Sequence, residues 1–182
     1  MRVIAGKYRS RALEAPAGML TRPTSDRLRE TLFNVLAPRM EGARFLDLYA
    51  GSGAVGIEAL SRGAESVDFV EKAPPALKAL RANLERLGIR AGAKVHSGSV
   101  AGFLKRAGEA RFDVVFLDPP YDAGPEYETA LGLAGGLVAE GGVVVAEHRR
   151  KDKLEEAYGG LKRMRLLEQG DAALSFYVLE HS

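Results

Sequence analysis

The spacing of apolar positions changes near residue 44 and divides the chain into two kinds of segment. Before this point, Leu28, Leu32 and Leu36 recur at helical spacing, and either Thr24 or Ser25 can cap that helix. Pro38 is expected to end it. After this point, short apolar runs alternate with amphipathic segments. This alternation predicts a parallel sheet with helices on both faces.

The pattern places the individual elements as follows. Strands are expected at 44–48, 67–71, 94–96, 112–117 and 142–146. Helices are expected at about 55–62, 74–87, 100–107, 127–137 and 152–158. Segments 161–168 and 172–179, joined by 169–171, predict a closing hairpin that makes one sheet edge antiparallel. We therefore expect an α/β fold with a seven-stranded, mostly parallel sheet and a C-terminal antiparallel hairpin.

The N-terminal segment is basic, although the whole chain of 182 residues has a net charge of only +2. Residues 1–30 carry seven basic and three acidic side chains, and residues 3–13 predict a strand pair or extended arm that turns near Gly6 and Lys7. Such an arm suggests a surface that binds a polyanion, while a solvated basic tail explains the charge equally well. We expect one domain over 1–182, with a basic extension at 1–20 and a catalytic fold at 21–182.

Composition excludes several kinds of chemistry. The chain has no cysteine, which rules out disulfides, thiolate metal ligands and a catalytic thiol. Its three histidines are scattered, so we expect no metal site. No apolar run approaches the ~18 residues of a membrane span, and the first residues lack the apolar core of a secretory signal. These features predict a cytoplasmic protein without a membrane partner.

A glycine motif follows the strand at 44–48. Gly51, Gly53 and Gly56 fit the pattern G-x-G-x-x-G between a predicted strand and a predicted helix, where the backbone turns tightly and a ligand can approach it. Glu71 ends the next strand 20 residues after Gly51, where a carboxylate can accept hydrogen bonds from both hydroxyls of a ribose. The motif predicts a nucleoside-containing cofactor.

Two cofactor classes share this arrangement. A dinucleotide carries a pyrophosphate, which favours a helix N-terminus without acidic groups nearby. S-adenosylmethionine has no phosphate and carries a sulfonium and an ammonium group, so the carboxylate of Asp47 at the end of the first strand suits it better. The residues favour the methyl donor and leave a nicotinamide cofactor as the alternative.

The fourth strand runs into Asp118-Pro119-Pro120-Tyr121. Ligands bind beyond the carboxyl ends of parallel strands near the point where strand order reverses, so Asp118 should lie beside the glycine turn. An exocyclic amine of a base can donate hydrogen bonds to the Asp118 carboxylate and the Pro119 carbonyl, and the base can stack on Tyr121. These contacts localise the nitrogen lone pair for attack on a methyl group, so positioning and electrostatics supply most of the catalysis.

These motifs resemble those of class I, or Rossmann-like, methyltransferases, and the N-terminal half narrows the resemblance. The segments Arg22 to Asn34, Leu46 to Gly56, Glu58 to Ala64 and Asp118 to Tyr121 are similar to the RsmD family of bacterial 16S rRNA guanine-N2 methyltransferases. The similarity extends over nearly the whole chain. It implies methylation of one guanine of 16S rRNA, within the small ribosomal subunit or an assembly intermediate.

The resemblance also implies roles for individual residues. Catalysis is assigned to Asp118, Pro119 and Tyr121. Cofactor binding is assigned to Asp47, Tyr49, Gly51, Gly53, Glu71, Ser99 and Val100. Many relatives have an aspartate at the position of Ser99. The Ser99 hydroxyl can still accept one hydrogen bond from the adenine amine, and the alternative is that nearby backbone groups recognise the adenine. Docking on RNA is assigned to Arg2, Lys7, Arg9, Arg11 and Arg22.

The sequence therefore predicts a monomeric, S-adenosylmethionine-dependent methyltransferase of 16S rRNA. The nearest alternative keeps the chemistry and changes the target to adenine N6 in RNA or DNA, or to a peptide amide. A nicotinamide-dependent oxidoreductase keeps the glycine turn but leaves Asp118 to Tyr121 without a purpose. A non-catalytic RNA-binding protein leaves the cofactor pocket unused.

Overall fold

The computed structural model of the protein describes residues 1–18, 24–120 and 124–180, and in that part of the chain five α-helices accompany eight strands. The helices are α1 Asp26–Met40, α2 Ala54–Ser61, α3 Pro74–Arg86, α4 Val100–Arg106 and α5 Gly124–Ala134, the last followed by a 3-10 turn at Gly135–Leu137. The strands are β1 Arg44–Leu48, β2 Ser66–Glu71, β3 Ala93–Ser97, β4 Phe112–Leu117, β5 Val138–Arg149, β6 Ala157–Tyr158, β7 Leu161–Gln169 and β8 Ala172–Leu179.

All eight strands form one sheet in the order β3-β2-β1-β4-β5-β8-β7-β6. The first five pair in parallel, and β8 joins β5 antiparallel, as the hairpin pattern predicted. The chain passes from β1 outward to β3 and then returns to place β4 on the other side of β1. The strand order therefore reverses between β1 and β4, and a crevice opens at their carboxyl ends.

Two apolar layers cover the sheet. Phe45, Phe69 and Phe116 pack on one face with side chains from α1 and α2, while Leu46 and Leu117 pack on the other with α4 and α5. The alternation of neighbouring residues between the two layers follows the two-residue repeat of a strand. Helices on both faces confirm the predicted layer arrangement.

Three element predictions were wrong. Pro38 lies inside α1, which continues to Met40, because a proline in the last turn loses only one backbone hydrogen bond. The predicted strand at 142–146 extends over 138–149. The predicted helix at 152–158 is absent, and Ala157–Tyr158 instead pairs with the start of β7 as an eighth strand. Pairing with the hairpin outweighs local helix propensity there.

The N-terminal arm packs against the body of the protein. Arg2 and Ala12 form a single antiparallel bridge, and Val3 and Leu13 are buried. Gly6 has a φ of +89°, and a Cβ at this position would lie 1.9 Å from the carbonyl oxygen of Ser61. Only glycine fits this approach of the arm to the end of α2. The predicted strand pair is thus reduced to one bridge in a closely packed turn.

A buried ionic cluster connects the arm to α1 and α2. Glu58 accepts hydrogen bonds from the backbone N–H groups of Ile4 and Ala5, at 2.9 and 3.0 Å. Its carboxylate also lies 3.6 Å from Arg29 Nε and 2.8 Å from Arg62 Nε. Burial lowers the pKa of Arg29, while the charge of Glu58 opposes that shift. Glu58 therefore links the arm to both helices.

Candidate active site

A cavity of about 440 Å³ opens at the carboxyl ends of β1, β2, β4 and β5. Its walls include Asp47, Gly51, Glu71, Asp118 and Glu147. The volume lies in the range of small-molecule sites, roughly 300–1,000 Å³. The cavity therefore lies where the strand order reverses, and residues of both predicted motifs line it.

The two glycines after β1 differ in their surroundings. Gly51 has a φ of +58°, lines the cavity and would present an added Cβ to open space. Gly53 has a φ of +85°, and a Cβ there would lie 2.3 Å from the Leu80 side chain. Gly51 leaves backbone accessible to a ligand, whereas Gly53, which is not among the lining residues, allows the turn to pack on α3.

The Glu71 carboxylate is held by backbone donors. Its Oε1 accepts from Gly51 N–H at 2.9 Å, and its Oε2 accepts from the N–H groups of Lys72 and Ala73 at 2.9 and 2.8 Å. Three donors fix the orientation of this side chain at the cavity wall. The turn after β1 and the end of β2 therefore act as one rigid unit.

Asp47 is almost fully buried beneath the glycine turn. Its side chain accepts a hydrogen bond from Gly56 N–H at 2.9 Å, and the residue is 1% exposed. Burial raises the pKa of Asp47 well above its usual range, the Gly56 hydrogen bond opposes the shift, and the charge of Glu71 adds to it. The carboxylate supports the first turn of α2 and also borders the cavity.

Tyr49 occupies a backbone conformation that non-glycine residues rarely adopt, with a φ of +59°. Its hydroxyl donates a hydrogen bond to Glu126, and burial raises the pKa of this tyrosine. Both residues line the cavity. The contact joins the loop after β1 to α5 across the cavity.

The segment after β3 forms another part of the cavity wall. Ser99 is the N-cap of α4 and accepts a hydrogen bond from Gly102 N–H at 3.0 Å. Val100 is buried behind it, and both residues line the cavity. The Ser99 hydroxyl thus already caps a helix.

The segment after β4 brings Asp118 and Pro119 to the cavity beside the end of β5. Asp118 is partly exposed and Pro119 is buried. Thr24 Oγ1 lies 2.8 Å from Glu147 Oε1 and 3.4 Å from Asp118 Oδ2. Two carboxylates and a hydroxyl from three separate segments therefore converge here. Tyr121 and Arg22, also predicted as site residues, lie outside the described residues.

Four of the five side chains predicted to dock RNA are exposed on the arm. Arg2 donates to the carbonyl of Ser10, and Arg11 donates to the carbonyl of Arg86. Lys7 lies over the Tyr8 ring, and Arg9 is exposed. The arm also reaches the cavity, because Met1 and Pro16 line it. The two ends of the arm therefore reach the cavity, whereas Lys7 and Arg11 lie at the C-terminal ends of α2 and α3.

Sequence reasoning missed many residues of the cavity wall, and four of them matter for the contacts at this site. Thr24 was considered only as a helix cap, and no role was predicted for the three others, Glu126, Tyr127 and Glu147. A detectable signal existed for Glu147, which directly follows the apolar run at 143–146 just as Asp118 follows the run at 114–117. Glu126 and Tyr127 reach the cavity only through the packing of α5.

The mostly parallel sheet with its reversal between β1 and β4, the glycine turn and the carboxylate at the end of β2 define a Rossmann-like α/β fold. Similarity to a solved methyltransferase of Escherichia coli, 34% identical with a TM-score of 0.83 over 100% of this chain and 99% of that one, assigns the chain to the methyltransferase class. The chain belongs to the family described as Conserved hypothetical protein 95, whose model matches residues 1–178. Its resemblance to the RsmD family is thereby confirmed, and known relatives support it in both sequence and structure.

Ribosomal RNA small subunit methyltransferase D of Escherichia coli K12 is 36% identical, and the match covers 99% of this chain and 90% of that protein. The rRNA methyltransferase YlbH of Bacillus subtilis is 39% identical over 97% of this chain and 98% of its own length. Among solved structures, protein TTHA0928 of Thermus thermophilus is 38% identical with a TM-score of 0.82, covering 97% and 98% of the two chains.

Within the described residues, no helix combines the length and the apolar character needed to cross a membrane.

Proposed function

We propose that the protein transfers a methyl group from S-adenosylmethionine to the exocyclic N2 amine of one guanine in 16S rRNA. The observation that carries this proposal is the convergence of Asp118 and Pro119 with the glycine turn and Glu71 in one cavity. The names of the relatives in E. coli and B. subtilis agree with an rRNA substrate. The target lies in the small ribosomal subunit or an assembly intermediate, and the protein acts on it as a monomer.

The cavity fits the cofactor. The Glu71 carboxylate is already oriented by three backbone donors, so its remaining acceptor position can receive a ribose hydroxyl without losing further side-chain freedom. Gly51 leaves open space where the ligand approaches the main chain. Ser99, Val100 and their backbone form the wall that receives the adenine. When bound, S-adenosylmethionine supplies an electrophilic methyl group on a sulfonium centre.

Asp47 favours the methyl donor over a dinucleotide. Its carboxylate takes the Gly56 N–H, one of the donors at the start of α2 that a pyrophosphate would need. A negative charge there also repels phosphate and attracts the ammonium group of the methyl donor. These two effects disfavour the nicotinamide alternative.

Asp118 and Pro119 orient the amine. The two N–H groups of the exocyclic amine donate to the Asp118 carboxylate and the Pro119 carbonyl, which draws the nitrogen toward tetrahedral geometry. Pro119 and Pro120 have fixed φ values and no N–H, so the segment presents rigid acceptors. Preorganised acceptors would supply the catalysis without prior removal of a proton, S-adenosylhomocysteine would be the leaving group, and the proton lost from the methylated nitrogen would pass to the Asp118 carboxylate.

The remaining predicted residues position the RNA. Tyr121 stacks on the target base. Phosphates are contacted by the basic side chains assigned to docking, which are Arg2, Lys7, Arg9, Arg11 and Arg22. Four of these five belong to the arm and are exposed, and since Lys7 and Arg11 lie at the C-terminal ends of α2 and α3, they would contact phosphates away from the target base.

The test is methylation of small ribosomal subunits from a strain that lacks the corresponding enzyme. The protein is incubated with S-adenosylmethionine carrying an isotopic methyl group, and the rRNA is then digested and mapped by mass spectrometry. We expect one labelled N2-methylguanine. Label on adenine N6 would support the alternative target, and absence of label together with tight binding of NAD would refute the proposal.

A further inference from the structure

We infer that Glu147 is the residue that selects guanine, by accepting a hydrogen bond from the ring N1–H next to the reacting amine. The inference rests on the proposed methyl transfer and names a specificity determinant for it. Its evidence is the position of Glu147 beside Asp118 in the cavity and the hydrogen-bonding edge of the purine bases.

The sheet register places the two carboxylates side by side. Leu117 of β4 pairs with Ala146 of β5, so the next residue of each strand, Asp118 and Glu147, reaches the same edge of the sheet. Paired positions of neighbouring strands point to the same face. The contacts of Thr24 Oγ1 with both side chains, at 2.8 and 3.4 Å, agree with this placement.

Glu147 is held rigidly. It is 3% exposed, although it lines the cavity. Tyr127 donates a hydrogen bond to its backbone carbonyl at 2.7 Å, and Thr24 donates to its side chain. A carboxylate offers about four lone-pair positions, so it can accept from a ligand as well as from protein donors. A buried carboxylate at a ligand cavity is best stabilised by a ligand that brings donors.

Among the bases that have an exocyclic amine, guanine is the one with a second hydrogen-bond donor next to that amine. Its N2 amine is adjacent to a ring N1–H, so its edge presents donors to both carboxylates. In adenine the ring nitrogen beside the amine is an acceptor, and in cytosine it is also an acceptor. An acceptor facing Glu147 would be repelled by the carboxylate, because two lone pairs would then face each other. The pair Asp118 and Glu147 therefore matches guanine and rejects the other two bases.

The experiment replaces the donor on the base by an acceptor and replaces the acceptor at residue 147 by a group that can donate. Small subunits are reconstituted with 16S rRNA that carries either guanine or 2-aminopurine at the mapped position. 2-Aminopurine keeps the N2 amine but has an acceptor at N1. Glu147→Gln introduces an amide that can donate to that acceptor and can still accept from Thr24. Glu140→Gln, an exposed glutamate of the same strand, is the matched control.

The readout is the single-turnover rate on each substrate with saturating S-adenosylmethionine. We expect wild-type protein and the control to prefer guanine by roughly 10- to 100-fold, the range for one hydrogen bond to a charged group. Glu147→Gln should reduce that preference at least about tenfold, by losing rate on guanine and keeping or gaining rate on 2-aminopurine. Intrinsic differences in amine reactivity cancel, because the same two substrates are compared between proteins.

An equal loss of rate on both substrates would assign Glu147 a structural role and overturn the inference. An unchanged preference would do the same. Wild-type protein that methylates neither substrate would refute the proposed function itself, and the inference with it. Melting temperatures of the three proteins confirm that each is folded.

Discussion

The backbone N–H of Gly51 donates a hydrogen bond to Glu71 Oε1 at 2.9 Å. This contact joins the turn after β1 to the end of β2, 20 residues further along the sequence. The same carboxylate holds the N–H groups of Lys72 and Ala73. The side chain predicted to bind the ribose is therefore fixed before any ligand arrives. Preorganisation of this kind lowers the entropic cost of binding.

Replacement of Glu71 by alanine should weaken S-adenosylmethionine binding by about 1–3 kcal/mol, because the ribose loses a charged hydrogen-bond acceptor. Calorimetry measures the affinity, and Glu85→Ala on the exposed side of α3 is the control. Unchanged affinity in a folded Glu71→Ala protein would exclude Glu71 from the site.

Asp47→Asn should stabilise the free protein at neutral pH and weaken cofactor binding. Because burial raises the pKa of Asp47, the native state holds its proton more tightly than the unfolded state does, so ionisation opposes folding. The stability advantage of Asn over Asp should be small near the ordinary aspartate pKa of ~3.9 and grow as the pH rises through the raised folded value.

Urea unfolding of both proteins across this pH range measures the difference, and calorimetry at neutral pH measures the affinity. The Gly56 N–H can still donate to the asparagine oxygen, so the turn should be retained. A stability difference that is independent of pH would contradict the role assigned to burial of this carboxylate.

The basic arm should account for part of the salt dependence of binding to small subunits. Each phosphate contact contributes a slope of roughly −0.7 to −0.9 in a plot of log affinity against log salt. Replacement of Lys7, Arg9 and Arg11 together by alanine should flatten the slope by about two to three units and leave S-adenosylmethionine affinity unchanged.

The matched control replaces Arg44, Lys105 and Arg111, which are exposed near the starts of β1 and β4, at the opposite end of the sheet from the cavity. Its slope should equal that of the wild type. If the arm only protects the protein from aggregation, the arm variant will aggregate more but will keep the wild-type slope, and phosphate docking by these residues is excluded.

Glu58→Ala should destabilise the fold by about 3–5 kcal/mol, because it removes the buried charged partner of Arg29, leaving only the exposed Asp26, and the acceptor of two arm N–H groups. Denaturant unfolding measures the loss, with Glu65→Ala, an exposed glutamate, as the control. A loss below about 1 kcal/mol would show that the cluster contributes little to holding the arm.

Features that depend on local pattern could be predicted from the sequence. The strand 112–117 has the observed bounds because its apolar run is short and buried on both faces. Glu71 was found by its spacing from the glycine turn, because a βαβ unit has a nearly fixed length.

Features that depend on pairing between distant segments could not be predicted from the sequence. Strand β6 exists because Ala157 and Tyr158 pair with β7, although its sequence favours a helix. Glu147 reaches the site through the register of β5 against β4, and Thr24 through the position of α1 relative to both strands. Three-dimensional neighbours, rather than sequence spacing, decide these contacts.

The most direct test of the central claim is the single-turnover methylation rate of Asp118→Ala on small subunits. We expect at least a ~100-fold loss of rate with S-adenosylmethionine affinity largely unchanged, the scale for removal of one preorganised polar contact. Asp113→Ala, on the same strand but away from the cavity, should keep the wild-type rate. If Asp118→Ala retains most of its rate on saturating substrate, Asp118 does not orient the amine and the proposed mechanism is wrong.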